Sequence, residues 1–188
     1  MDVAKVLAIF LSMVLILGLF AFPAVSEPVE KIRVVVTAPT LKSLVEAVGG
    51  DLVDVRSILP PGIDPHSYEP SIEDVLKAVS NASLIVMTGP HHLPIEEKIE
   101  KLAKEGLVKT PIINYRDYEV MGLMILRIPE TGAENPHGYF YSTSGLKAIA
   151  KACAAKLSKI YPKYSELFKE NLRRYLERLA AIEEKVKD

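Results

Sequence analysis

With one cysteine, Cys153, the chain can form no internal disulfide, so its fold must rest on a packed core. Charge of one sign is also missing: 23 Lys and Arg stand against 24 Asp and Glu, for a formal charge of -1. The charges are interspersed, which excludes the basic footprint of a nucleic-acid-binding protein. No repeat of fixed period is present. HExxH, GxSxG and CxxC are absent, as is a glycine-rich phosphate loop. Nothing therefore points to an enzyme.

Long apolar runs are confined to one place. After Asp2 and Lys5, residues 6–22 are apolar except for Ser12 and Gly18, and Ala24-Val25-Ser26 follows. This reads as a signal peptide over 1–26. The other reading is an uncleaved anchor, since about 17 residues can just span a bilayer. Either places the folded part outside the cytoplasm. No cysteine follows the run, so no lipid-attachment box is read there. On the order of 160 residues remain, enough for one domain. Cys153 lies in an Ala-rich stretch and is expected to be a small buried residue. Asn81-Ala82-Ser83 is a glycosylation sequon, a triplet that also arises by chance.

Strands and helices alternate. Strands are expected at 32–37, 52–59, 84–87 and 111–114, and helices at 41–48, 71–79, 95–107 and 142–160. Ser71 is placed to cap the second helix, and Ser142, Thr143 or Ser144 the fourth. Such alternation implies right-handed crossovers and a four-stranded parallel sheet flanked by helices. Residues 121–126 read as a strand or a buried loop. A last long helix from about 163 carries Phe168, Leu172, Tyr175, Leu179, Ile182 and Val186, spaced as a packing seam.

The stretch that draws attention is Leu59-Pro60-Pro61-Gly62-Ile63-Asp64-Pro65-His66-Ser67-Tyr68-Glu69-Pro70. Its prolines stop regular structure and lower the entropy lost on ordering His66. It follows a strand and precedes a helix, where parallel α/β folds hold ligands. The chain has 4 histidines, His66, His91, His92 and His137, all in Pro- or Gly-bearing loops. Imidazole ligates zinc, manganese, iron or copper. Two histidines make half of a four-coordinate zinc site. Adjacent His91 and His92 diverge, so at most one points into a shared site; their other reading is a polar cap over a strand end. Asp64 and Glu69 are candidates to hold His66 by a hydrogen bond that fixes its tautomer.

At this point the residues resemble a known family, the extracytoplasmic solute-binding proteins of ABC importers for zinc and manganese. The likeness rests first on residues 64–74, similar to the family's first metal-ligand loop. The strand 84–87 running into Thr88-Gly89, Asn135-Pro136-His137 as a second ligand loop, and 161–172 as the start of a bridging helix support it. Two departures stand out. Gly138-Tyr139-Phe140-Tyr141-Ser142 follows Asn-Pro-His without an acid. Pro90-His91-His92-Leu93-Pro94 replaces a glycine-rich turn and glutamate, leaving Glu96 or Glu97 to take that place.

The resemblance implies one lobe of a two-lobed metal-binding protein over 27–160, with 161–188 beginning the inter-lobe helix. His66 and His137 carry over as ligands, with His91 and His92 as further candidates. The implied cargo is Zn2+ or Mn2+, the chain reads as truncated or as one half of a split protein, and the implied partners are a membrane ABC permease and, for a split protein, a separately encoded second lobe. An alternative is a non-transporting remnant or surface interaction module with weak metal binding and an exposed apolar stripe on the last helix.

Overall fold

The structure is a computed structural model; it describes residues 2–3, 30–89, 93–135 and 137–187, with no side-chain description for 186 and 187. The 1–26 segment, His91 and His92 therefore lie essentially outside the described residues. Residues 31–188 form one compact unit. No helix among the described residues is long and apolar enough to cross a membrane.

The strands are β1 (Ile32–Val36), β2 (Val53–Ser57), β3 (Leu84–Val86) and β4 (Ile112–Ile113). They form one sheet, all parallel, in the order β2-β1-β3-β4. The helices are α1 (Lys42–Gly49), α2 (Ile72–Val79), α3 (Pro94–Lys104), α4 (Tyr115–Val120), α5 (Thr143–Ile160) and α6 (Ser165–Lys187). The expected four-stranded parallel sheet, flanked by helices and followed by a long helix, is what the chain forms.

Side chains alternate across the strands, so β1 feeds two cores. Ile32, Val34 and Val36 pack with Val53, Val55, Leu84 and Val86 under α1, α4, α5 and α6. Val35 and Ile85 turn the other way, onto Val75 and Val79 of α2 and Ile95, Ile99 and Leu102 of α3. Both faces of the short central strands are thus dry, as their β-branched composition requires.

Helix α5 reaches its neighbours through small residues: Ala148, Ala150, Ala152, Cys153 and Ala154 are all buried. Burial pushes the Cys153 thiol up to about 12, with the Asp117 charge adding to it. A thiol so raised and enclosed is not nucleophilic at neutral pH. In the folded protein Cys153 is expected to resist a thiol reagent such as DTNB and to react fully only in denaturant.

The seam on α6 is closed. Phe168 and Leu179 are buried, and Leu172 and Tyr175 pack against the same core. Asn171 donates to the Val48 carbonyl of α1 at 3.0 Å, and Lys147 of α5 pairs with Glu183 at 2.5 Å. An exposed stripe along this helix is therefore not observed: only Ile182, at 53 % exposure, leaves the core among its described members. The reason is geometric, since α1 and α5 both pack on α6 and cover its apolar face.

Residues 121–126 form no strand. The helix α4 precedes them, started by a capping box in which Asn114 and Asp117 each accept a backbone N–H of the other's residue or its turn. Leu123 is buried, whereas Met124 and Leu126 are 83 % and 72 % exposed. Ser71 caps α2 as expected, accepting the Asp74 amide at 3.1 Å and donating to its carboxylate at 2.6 Å. Of the three candidate caps for α5, Ser142 is the one used. Ser71→Ala is expected to lower stability by about 1 kcal/mol, read as a shift in the urea midpoint.

Candidate metal centre

Each candidate histidine has its backbone amide held by the side chain two residues before it. Asp64 Oδ1 accepts the backbone N–H of His66 at 3.0 Å. Asn135 Oδ1 accepts the backbone N–H of His137 at 3.0 Å. Both sequences read Asx-Pro-His. The side chain of an Asx residue closes a turn onto the amide two residues on, and proline between them restricts the backbone. One local device thus presents both imidazoles. In the first loop the Asp64 carbonyl also takes the Ser67 amide and hydroxyl, at 3.2 and 3.1 Å. In the second, the Asn135 backbone N–H donates to the Leu126 carbonyl at 2.8 Å, tying the turn to the segment that follows α4.

The two loops are far apart in sequence and meet in space. The rings of His66 and His137 lie 5.7 Å apart, centre to centre, with planes inclined at 28°. Two imidazoles bound to one ion through bonds of about 2.0–2.1 Å, at a roughly tetrahedral angle, have ring centres about 5 Å apart. The observed separation is close to that. Both residues are exposed, so an ion can reach them from solvent. Among the described residues no group of three or more His, Cys, Asp or Glu converges to hold a metal.

The other candidates fall elsewhere. Asp64 is engaged with the main chain of His66 through its Oδ1. Glu69 is exposed and lines a groove with Ile72, Pro94, Glu97 and Lys98 on the outer side of α2 and α3.

The sheet order reverses between β1 and β3, which opens a crevice at their carboxyl ends. The chain fills that crevice with its own carboxylate. Glu96, fully buried on α3, accepts the Thr88 amide at 2.6 Å and the Gly89 amide at 3.0 Å. The Thr88 hydroxyl reaches both its oxygens at 2.9 Å, and the Thr37 hydroxyl donates to it from the end of β1. Of the two glutamates left open by sequence, Glu96 is the one facing the 88–89 turn. Burial pushes its carboxyl above the usual carboxylate range, against the opposing pull of the hydrogen bonds from Thr37, Thr88 and Gly89. Thr37, Thr88 and Glu96 form a buried network at the strand ends that sequence reasoning did not join. The signal available was a threonine within two residues of the end of each of two adjacent strands and an acid in the first turn of the next helix.

Comparison with known proteins gives this geometry its context. Residues 34–188 match the family described as zinc-uptake complex component A, periplasmic (ZnuA). The iron ABC transporter substrate-binding lipoprotein MtsA of Streptococcus pyogenes serotype M1 is 30 % identical over 97 % of this chain and 59 % of its own length. The manganese ABC transporter substrate-binding lipoprotein PsaA of Streptococcus mitis is 28 % identical over 96 % of this chain and 58 % of its own. A crystal structure of a zinc-bound ZnuA with residues 138–173 deleted superposes with a TM-score of 0.69 at 26 % identity, covering 83 % of this chain and 57 % of that one. The chain thus spans somewhat under three-fifths of the length of these relatives. It belongs to the ZnuA family of metal-binding ABC-transporter substrate-binding proteins.

Proposed function

We propose that this chain captures a divalent metal ion outside the cytoplasm for an ABC-type importer, with His66 and His137 as two of the ligands. The observation that carries this is the pairing of the two imidazoles at 5.7 Å by turns of the same construction. Zinc or manganese is the cargo. The relatives are named for zinc, manganese and iron, and imidazole serves all three. A second lobe completes the coordination shell and closes it, so no position stays open for a catalytic water and the role is capture rather than catalysis. A membrane permease receives the loaded protein. The segment over 1–26 directs export or anchors the chain.

Isothermal titration of the chain with zinc and with manganese tests this. Saturable binding is expected, weakening as the buffer is acidified, because the metal takes only the neutral imidazole. Absence of binding by both ions at neutral pH contradicts the reading. The alternative, a non-transporting remnant or surface interaction module, expected an exposed apolar stripe on the last helix, and that stripe is packed. Among the exposed apolar residues, Met124 and Leu126 lie in the segment whose Leu126 carbonyl accepts the Asn135 backbone amide. A lobe closing over the metal would bury them there.

A further inference from the structure

The arrangement of residues 89 and 139 assigns a positioning role to a side chain outside the ligand set. We propose that Tyr139, wedged against Gly89, sets the place of His137 relative to His66. This rests on the metal reading above and adds a residue to it.

Tyr139 lies two positions after His137, joined to it by Gly138 in the left-handed region at φ 82°. His137 is exposed, whereas Tyr139 is buried at 7 % exposure, so the turn has one end in solvent and the other in the core. The buried end is fixed from two sides. Its carbonyl accepts the Ser142 hydroxyl at 2.7 Å, and Ser142 in turn caps α5 through Gly145. Gly145 is packed so tightly on this carbonyl that an added Cβ would sit 1.9 Å from its oxygen. The ring tilts against Tyr118 at 6.3 Å, and Tyr118 donates to the Met87 carbonyl at the end of β3 at 2.7 Å.

The far end of the ring meets the turn that follows β3. A Cβ at Gly89 would lie 3.0 Å from the Tyr139 hydroxyl oxygen. Gly89 cannot retreat, because Glu96 holds its amide. The Tyr139 hydroxyl is buried and has no hydrogen-bond partner among the described residues. What tyrosine adds over phenylalanine here is length: the oxygen spans the gap to Gly89. The ring is therefore a spacer between the rigid β3 end and the His137 turn.

The test uses Gly89→Ala, Tyr139→Phe and the double variant in the full chain, with zinc titration and with imidazole NMR of the metal-free proteins. Gly89 has no positive φ to forbid alanine, so the added methyl acts chiefly by pressing on the phenol oxygen. Gly89→Ala is expected to lower zinc affinity by roughly tenfold or more, the scale on which residues supporting a ligand act. It should shift the metal-free His137 signals and leave those of His66 in place. Tyr139→Phe removes the oxygen that is pressed, so the double variant should regain both affinity and the His137 signals. A general loss of packing predicts no such rescue. Unchanged affinity and unchanged His137 signals in Gly89→Ala overturn the proposal, as does failure of Tyr139→Phe to restore them. If the unsubstituted chain binds no zinc, the metal reading fails; the metal-free NMR arm still decides whether Tyr139 positions His137.

Discussion

His66→Ala and His137→Ala are each expected to reduce zinc affinity by at least about a hundredfold. Groups that merely orient a ligand contribute 10- to 100-fold, so removal of a ligand sits at or beyond the upper end of that range. Both residues are exposed and neither belongs to the core, so the thermal midpoint should stay near that of the unsubstituted chain. The double variant carries a sharper expectation. If both imidazoles hold one ion, the second removal costs less than the first, because the site is already lost. Calorimetric titration of the three variants checks this. Independent, additive losses would mean that the histidines act on separate ions.

Glu96→Ala is expected to be strongly destabilising, on the order of 3 kcal/mol or more, since each buried donor left without an acceptor costs about 1–3 kcal/mol. It strands the amides of Thr88 and Gly89 and the Thr88 hydroxyl, and leaves the Thr37 hydroxyl only the Val86 carbonyl at 3.5 Å. For a domain of this size that corresponds to a fall in midpoint of roughly 10 °C, measurable by calorimetry. Glu96→Gln keeps the volume but turns an NH2 group toward donors, so it should fall between. The carboxyl also gives a pH signature. Its folded pKa is raised above 4.5, so between the unfolded and folded values the native state binds more protons than the unfolded one. In that window this group's contribution to stability decreases as pH rises, opposite to that of a salt-bridged carboxylate. The slope should disappear in Glu96→Gln.

Much of this molecule was legible from sequence, for identifiable reasons. Five β-branched or charged residues in a row at Ile32–Val36 leave little choice but a strand, and the strand–helix alternation leaves little choice but parallel pairing. Ser71 and Ser142 announced their helices because capping is local chemistry. His66 and His137 could be singled out because proline and Asx residues before them are also local signals. Their meeting could not be read that way: nothing in two distant loops encodes their separation without the known family as a guide. Helix α4 was missed although Asn114 and Asp117 carry a capping box, because six residues with two tyrosines give no clear apolar period. The crevice network of Thr37, Thr88 and Glu96 was out of reach because it joins three elements side by side only after the sheet has formed. Gly89 and Tyr139 are the same case, with 50 residues of chain folded between two atoms that nearly touch.

The measurement that bears most directly on the site is a zinc titration followed through the imidazole nitrogen and carbon-bound proton signals of all the histidines. One shared ion predicts that the His66 and His137 signals change in step and are complete at a single equivalent per site. If only one of the two responds, or if they saturate at different zinc ratios, His66 and His137 do not share a metal.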